Sequence, residues 1–479
     1  MNYGQFLQMV PEATLVAVLL IVFFADLLCP RHGKEKVKTL STLSTVLLVA
    51  PLVASALAEP TSAFGGLYVT SQMANVMKVI LTLGTIIVAI MARPWLDNEA
   101  SARVGEFFVL LVSTLLGMYT MISSGNFLMF FLGLETASVP LACMVALDKK
   151  KKQSAEAAAK YILTATFSSG VMLYGISFLY GATGTLYFDD MASKLMTTPL
   201  AVAGLVFFFS GLGFKLSLVP FHFWTADTYQ GAPTPVTGYL SVVSKGAAAL
   251  AAFIILTKVF GPLVEQWTML LGIIIMLTIT VGNLFAIRQS ELKRFMAFSS
   301  ISQAGYIMLA ALGNSQMGAT ALTYYVLVYV VANMAVFSVI SVVEQNNGGR
   351  TDMAAYNGFY TTNPKLSFLM TLALFSLAGI PPFAGMFSKF FVFMAGVGGH
   401  EANPFWVYLV VFVALINTVV SLYYYLLIVK AMYIKKTTTP LPTFKSDVNT
   451  KLALALCTTG IALFGVLSCI YDWIASAAV

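Results

Sequence analysis

Four ionisable side chains stand inside long apolar stretches of this sequence: Glu135, Lys215, Lys245 and Lys389. Charged groups are costly inside a membrane, so ionisable residues at such positions are functional candidates. Desolvation favours a neutral lysine and a nearby carboxylate favours a charged one, so a buried lysine near an acid can gain and lose a proton. If Glu135 approaches Lys215, the four residues form a proton relay that titrates as a coupled set.

Two further residues could extend this relay. His222 follows Pro220, and because histidine titrates near neutral pH it could feed the relay; the alternative is a hydrogen-bonded histidine at a helix break. Lys160 enters an apolar segment one turn after Glu156, where snorkelling to the surface and a place in the proton path are both open. A purely structural role for the whole set, in which the lysines only fix helix packing, is disfavoured because three of them are buried.

The composition requires a membrane protein. The 479 residues are 59% hydrophobic and only 10% charged, with a mean hydropathy of +0.85, which excludes an ordinary soluble protein. The pattern predicts an all-α integral membrane protein with about 14 transmembrane helices. The apolar windows are Thr14–Cys29, Ser41–Leu57, Thr70–Ala92, Phe107–Ile122, Leu128–Leu147, Ala155–Tyr180, Pro199–Tyr229, Val236–Leu256, Pro262–Ile287, Phe295–Leu312, Met317–Val343, Leu366–Val397, Asn403–Ile434 and Leu452–Ile470.

The seventh and twelfth windows are too long for one straight crossing. A helix over Pro199–Tyr229 would be about 45 Å long, against about 30 Å of hydrocarbon. Proline interrupts it at Pro220 and interrupts Leu366–Val397 at Pro381 and Pro382. Five helices separate the breaks, so the two units cross the membrane in opposite senses. Discontinuous helices 7 and 12 in inverted halves are typical of a transport site near mid-membrane.

This pattern predicts four units along the chain. They are an N-terminal three-helix block (1–106), a first antiporter-like repeat of helices 4–8 (107–261), a second, inverted repeat of helices 9–13 (262–434) and a C-terminal helix 14 (435–479). In the first block, Asp26 and Lys78 are expected to snorkel or to pair with another charge.

Basic residues predict the orientation. If both termini face outward, the outer loops hold only Lys194 and Lys258, and the other loop lysines and arginines face inward, as short inner loops usually require. The formal net charge of +7 is then a charge on the inner surface near anionic lipid, which gives no indication of nucleic acid binding.

Neither a redox cofactor nor a metal is predicted in this chain. Its cysteines, Cys29, Cys143, Cys457 and Cys469, lack the spacing of an iron–sulfur or zinc site, and no glycine-rich phosphate loop is present. The tenth window opens with a polar cluster that includes Ser300 and Gln303, which either hydrogen-bonds neighbouring helices or orders water. Asn283, Asn333 and Asn417 allow the same two interpretations, and packing is favoured for them.

Over essentially its whole length the chain resembles the antiporter-like membrane subunits of respiratory complex I, the proton-pumping NADH:quinone oxidoreductase. The matching segments are GFKLSLVPFHFWTADTYQGAPTPVTGYLSVVSK, GLETASVP, KRFMAFSSISQAGY and GIPPFAGMFSKF. Among the branches of that family it resembles subunit N. Subunit L carries an additional lateral helix, and subunit M usually has glutamate in place of Lys389.

The resemblance implies that Glu135, Lys215, Lys245 and Lys389 are the family's glutamate of helix 5 and lysines of helices 7, 8 and 12. It also implies a bacterial inner membrane, M-like and K-like neighbours, and NADH, FMN, iron–sulfur clusters and a quinone in other subunits. Ala226 replaces a common proline, and Gln303 replaces a common histidine and cannot titrate.

Two other functions remain open at this stage. One is a subunit of a multisubunit cation/proton antiporter, and the other is part of a membrane-bound hydrogenase. The sequence leaves undetermined the quinone, the electron donor, the number of protons moved and whether sodium substitutes.

Overall fold

The computed structural model describes residues 3–313, 316–398, 404–437 and 440–478. Within them, 13 helices are long and apolar enough to cross a membrane. Two shorter apolar helices, Pro364–Ala378 and Ala384–Val397, together occupy the predicted twelfth window. The all-α membrane fold is therefore confirmed. Asn403, the predicted start of the thirteenth window, lies outside the described residues.

The first part of the chain contains three spans and a small hairpin. Its elements are α1 (Val10–Leu28), α2 (Gly33–Leu47), α3 (Val49–Leu57), β1 (Thr61–Ala63), β2 (Tyr68–Thr70) and α4 (Gln72–Asn98). Helices α2 and α3 together form one span. The strands are antiparallel, with Thr61 opposite Thr70. Ser71 begins α4 because its side chain accepts a hydrogen bond from the amide of Ala74.

The next part of the chain carries the first broken helix. Its helices are α5 (Val104–Ile122), α6 (Phe127–Val145), α7 (Lys152–Thr183), α8 (Phe188–Lys194), α9 (Pro199–Leu216), α10 (Phe223–Gly231), α11 (Thr234–Tyr239) and α12 (Lys245–Ile254). Between α11 and α12 the residues Leu240–Ser244 form a π-helical turn, so that one continuous span runs over Thr234–Val259.

The remaining part carries the second broken helix. Its helices are α13 (Val264–Ile287), α14 (Leu292–Leu312), α15 (Gln316–Asn346), α16 (Phe359–Thr362), α17 (Pro364–Ala378), α18 (Ala384–Val397), α19 (Pro404–Tyr433), α20 (Val448–Val466) and α21 (Ser468–Ser476). The last span ends before the predicted Ile470, because the backbone of Leu467 leaves the helical region.

The first break begins where α9 ends, at Leu216. Ser217 adopts the left-handed conformation with a φ of 62°, and the amide of Leu218 donates to the carbonyl of Gly213 at 2.8 Å. This is the usual way in which a helix end satisfies its last carbonyls. The peptide bond before Pro220 is cis, and helix resumes at α10. The interruption predicted at Pro220 is confirmed.

The second break repeats this geometry after Ala378. Gly379 has a φ of 89°, and the amide of Ile380 donates to the carbonyl of Phe375 at 3.0 Å. The peptide bond before Pro382 is cis, as it is before the proline of the first break. The two discontinuous helices therefore share their backbone termination, although their sequences differ.

Candidate functional site

Lys245 lies at the centre of the helix packing with neutral partners. Lys245 is the residue directly after the π-helical turn of Leu240–Ser244. Such turns are frequent at functional sites. The Nζ atom donates to Ser300 Oγ on α14 at 2.7 Å and lies 5.6 Å from the centre of the Tyr229 ring. Lys245 is 1% exposed. Among the described residues it forms no ion pair, so its charge is held by a hydroxyl and an aromatic face.

Lys215 and Glu135 lie close together without forming an ion pair in the described part of the chain. Lys215 Nζ donates to Ser138 Oγ at 2.8 Å, and Ser138 is one turn along α6 from Glu135. The Glu135 carboxylate instead accepts a hydrogen bond from Ser169 on α7. Lys215 is buried and Glu135 is half-buried. The two residues therefore lie near each other, but the side chain of each forms its hydrogen bond with a serine.

Lys389 connects the two halves of the second broken helix. Its Nζ atom donates at 2.9 Å to the carbonyl of Ala378, the last residue of α17, although Lys389 itself belongs to α18. The ring of Tyr306 lies 5.0 Å from the same atom. Lys215 precedes its break and Lys389 follows its own, so the two lysines occupy different sides of otherwise similar interruptions.

A stripe of polar residues on α15 leads from the surroundings of Lys389 toward those of Lys245. Its members, Tyr325, Tyr329 and Asn333, repeat at intervals of four residues on one face of the helix. Asn333 Nδ2 donates to Ser241 Oγ at 2.5 Å, one turn before Lys245. The hydroxyl of Tyr329 is buried and has no protein partner in the described chain. Of these three residues only Asn333 was singled out from the sequence, with packing favoured, although the four-residue spacing of all three in an apolar segment was a usable signal.

Gln303 links that stripe to the second break. Its side chain accepts a hydrogen bond from Tyr325 and donates to the carbonyl of Leu377 at 3.3 Å and to Tyr425 at 3.2 Å. A cavity of about 10 Å³ lies beside it, lined also by Tyr329 and Lys389. That volume is at the lower limit for one water molecule. Gln303 cannot titrate, but it keeps the local hydrogen bonds continuous.

His222 lies at the first break and is 8% exposed. Its Nδ1 atom has no protein partner among the described residues, and neither do the hydroxyls of Thr225 and Thr228 on α10. Helix α10 continues to Tyr229, whose hydroxyl lies 3.2 Å from the Ser300 hydroxyl that Lys245 contacts. Polar groups therefore follow the chain from the first break to the central lysine.

Lys160 is placed apart from these buried lysines. It is half-exposed and pairs with Glu156 and Asp227, each at 2.7 Å, and Arg294 also contacts Asp227 at 2.6 Å. These residues line a polar cavity of about 180 Å³. The structure thus groups Lys160 with surface ion pairs and gives it no contact with Lys215, Lys245 or Lys389.

A second ionic cluster joins the loop before α7 to α15. Lys151 pairs with Glu99 and Asp148, each at 3.1 Å, and Glu344 lies 4.0 Å from Lys151 and 3.9 Å from Lys293. Burial lowers the pKa of Lys151, but the hydrogen bond to Asp148 and the charges of Glu344 and Glu99 outweigh it, so the pKa is raised. This lysine remains charged and serves to connect loops.

Lys78 is a further fully buried lysine, and it differs from the others in its partner. Its Nζ atom lies 2.7 Å from Oε1 of Glu12, and the other carboxylate oxygen, Oε2, accepts a hydrogen bond from Tyr68 at 2.9 Å. Lys78 therefore pairs, one of the two roles expected for it. Asp26 does the same with Lys36, at 2.8 Å. Glu12 escaped the sequence analysis because it lies near the start of an apolar window.

Comparison with known proteins identifies the family. Residues 124–421 match the family described as NADH:quinone oxidoreductase/Mrp antiporter, TM. The chain is 55% identical over 480 residues to "NADH-quinone oxidoreductase subunit N" of Phocaeicola vulgatus, with 100% of both chains covered. It is 49% identical over 476 residues to the subunit N of Azobacteroides pseudotrichonymphae, covering 99% of this chain and 98% of that one. The chain belongs to the NADH-quinone oxidoreductase subunit N family.

Chains of solved membrane complexes share this fold. A chain of respiratory complex I from Thermus thermophilus with bound aureothin superposes with a TM-score of 0.80 at 30% identity, covering 96% of this chain and 98% of that one. A chain of the Mrp complex from Dietzia superposes with a TM-score of 0.82 at 20% identity, covering 100% and 97%. The second likeness concerns the fold alone.

Proposed function

We propose that this chain is a proton-translocating, non-redox membrane subunit of a complex I type NADH:quinone oxidoreductase. The observation that carries the proposal is that Lys215, Lys245 and Lys389 are all buried and all held by neutral hydrogen-bond partners. A lysine with a hydroxyl or carbonyl partner can lose its proton without leaving an uncompensated carboxylate behind. The relatives are named NADH-quinone oxidoreductase subunit N, and in this proposal the oxidation of NADH by quinone drives the movement of protons.

In this proposal a proton moves in three stages along the residues from Glu135 through Lys215 and Lys245 to Lys389. We call these four residues the proton row. Glu135 lies one turn along α6 from Ser138, the hydrogen-bond partner of Lys215, and its approach to the Lys215 amine would favour the charged form of the lysine. The proton then passes along the polar side of α10, with His222 at its start, to Lys245. From there the stripe of Tyr325, Tyr329 and Asn333 leads to Lys389. Water bound to the unpartnered hydroxyls would complete the route.

Lys160 is proposed to stay outside this row, at the surface where protons enter. The two similar breaks support the proposal that helices 4–8 and 9–13 are inverted repeats, with the N-terminal block, 1–106, and the C-terminal segment, 435–479, as additions. Both termini are proposed to face outward across a bacterial inner membrane, because this places most loop lysines and arginines inside.

The partners proposed are other complex I subunits, with M-like and K-like chains as immediate neighbours. NADH, FMN, iron–sulfur clusters and the quinone would bind those other subunits. In the described part of this chain no group of three histidine, cysteine or acidic residues could hold a metal ion. Electron transfer elsewhere would then act on Glu135 and the lysines through movement or charge.

Purification from the native membrane tests this proposal. We expect the chain to co-purify with flavin- and iron–sulfur-containing subunits and the complex, reconstituted in vesicles, to acidify the lumen when NADH and quinone are supplied. A complex that contains only membrane subunits and exchanges sodium for protons without NADH would instead establish a cation/proton antiporter, the alternative that the Mrp family match favours.

A further inference from the structure

A cavity of about 980 Å³ opens between the starts of α17 and α20. Its mouth is lined by three exposed lysines, Lys365, Lys445 and Lys451. In the described part of the chain none of the three forms an ion pair. We call these three residues the lysine mouth. Three cations around one cavity give it a positive potential that attracts an anion.

Part of the cavity lining is apolar. Leu366 and Leu369 of α17 face it from one side, and Leu454 and Ala455 of α20 face it from the other. We call these four residues the apolar floor. They lie farther along the same two helices than the lysines at the helix starts, and both helices are apolar. The cavity is thus charged near the membrane surface, at the helix starts, and apolar farther along the helices.

No acidic side chain lines this cavity among the described residues. Asp447 is nearby, but it begins α20 and accepts hydrogen bonds from the amide of Asn449 at 3.0 Å and from its side chain at 2.6 Å. Burial raises the pKa of Asp447, yet these hydrogen bonds and the charge of Arg93 outweigh it, and the pKa is lowered. Asp447 therefore stays charged and engaged with the helix end, so the mouth has three positive charges against one neighbouring negative charge.

We propose that this cavity binds one anionic phospholipid of the bilayer, with its phosphate at the lysine mouth and its acyl chains on the apolar floor. Basic pockets between membrane helices suit anionic head groups, and the volume lies at the upper end of the range for ligand sites. Each lysine near a membrane surface adds roughly fivefold in affinity for anionic lipid. The site lies outside the proton row and is independent of the proposed pumping function.

Photocrosslinking of the intact complex, purified in detergent, tests the proposal. The probes are diazirine-bearing phosphatidylglycerol and phosphatidylcholine, and the labelled peptides are mapped. We expect phosphatidylglycerol to label peptides within 362–369 and 443–458, and phosphatidylcholine to label them far less. A triple Lys365→Gln, Lys445→Gln, Lys451→Gln variant should bind phosphatidylglycerol roughly a hundredfold more weakly.

The matched control removes the same number of charges elsewhere. Lys149, Lys150 and Lys152 are exposed lysines before and at the start of α7 and do not line this cavity, so their replacement by glutamine should leave the labelling of 362–369 and 443–458 unchanged. Ala455→Trp, which fills the apolar floor, should reduce lipid labelling while leaving the lysines in place. If the triple variant fails to assemble, the single variants Lys365→Gln and Lys451→Gln should each lose about fivefold.

Four results would overturn the proposal. They are equal labelling by the two lipids, unchanged labelling in the triple variant, an equal loss in the Lys149, Lys150, Lys152 control, and crosslinks to a neighbouring subunit in place of lipid. Inorganic phosphate is added as a competitor: displacement of the lipid at equal concentration would indicate a soluble anion site. Proton pumping, measured after the same preparations are reconstituted into vesicles, separates the failure of this site from that of the proposed function.

Discussion

Lys78 and Lys245 are both completely enclosed lysines, but in the described part of the chain only one of them has an acidic partner. Both contact hydroxyls and aromatic rings: Lys78 Nζ donates to the hydroxyls of Tyr68 and Thr70, and Lys245 Nζ donates to Ser300 and lies near the Tyr229 ring. Lys78 also has a carboxylate oxygen of Glu12 at 2.7 Å, whereas no ion pair of Lys245 is found among the described residues. A carboxylate at contact distance stabilises the ammonium ion strongly, and removing the proton would leave the acid alone in an apolar interior.

The difference indicates which buried lysines can exchange protons. Lys215 and Lys389 resemble Lys245, because a serine hydroxyl and a backbone carbonyl are their hydrogen-bond acceptors. Such acceptors tolerate a neutral amine, since the lost hydrogen bond costs about 1–3 kcal/mol, compared with about 3–5 kcal/mol for a broken buried ion pair. We therefore propose a structural role for Lys78 and a role in proton movement for Lys215, Lys245 and Lys389.

The largest effect is expected from Lys245→Met. Methionine fills the space but cannot carry a proton, so pumping and coupled quinone reduction should fall by at least about 100-fold while the complex still assembles. The measurement is NADH-driven quenching of a pH-sensitive dye in membrane vesicles. Lys258→Met is the control, because Lys258 lies on the same span but is exposed and pairs with Asp189 at 2.7 Å. Normal pumping in the Lys245 variant would contradict the proposed difference in role between Lys245 and Lys78.

Lys78→Met should affect stability more than transport. It leaves the buried Glu12 carboxylate without a cation, at a cost of about 3–5 kcal/mol, and should reduce the amount of assembled complex and its Tm. The double variant Glu12→Gln, Lys78→Met removes both charges and should recover much of the loss. Pumping per assembled complex should stay near that of the original protein. If the double variant assembles but does not pump, Lys78 belongs with the proton row.

Glu135→Gln should have a moderate effect. Glutamine can still accept the hydrogen bond from Ser169, so packing is kept and only the charge near Lys215 is removed. We expect a severalfold decrease in pumping and a changed pH profile, because the protonation of Lys215 then lacks an acidic neighbour. The matched control is Glu156→Gln, which removes an exposed acid. Identical pH profiles for the Glu135 variant and the original protein would exclude the coupling.

The smallest effect is expected from Lys160→Gln. Its two ion pairs are exposed, and such pairs contribute about 0–1 kcal/mol. Arg294 would retain Asp227, so pumping should change by less than about twofold. The vesicle assay used for Lys245→Met measures this directly. A loss comparable with that of Lys245→Met would move Lys160 from the surface cluster into the proton row.

Much of the fold follows from local sequence. Apolar segments that cross the bilayer form helices, because each backbone amide and carbonyl must find its hydrogen-bond partner within its own segment. Prolines indicated the positions of the two interruptions, and the lysines stood out because charge is rare in such windows. These features depend on residues near one another in the chain, and for this reason the helices, the breaks and the candidate lysines were predicted from the sequence.

Tertiary packing alone decided which residues the buried polar side chains contact. Glu12 and Lys78 are far apart in sequence, as are Lys245 and Ser300, and no local pattern shows that the first lysine contacts an acid and the second a hydroxyl. The same holds for the stripe on α15, whose Asn333 contacts Ser241 across the bundle. The sequence by itself determined that amines would be buried in a membrane protein. Only the packed helices decided which of them are neutralised, because electrostatic energy depends on distances between atoms that the chain brings together from remote positions.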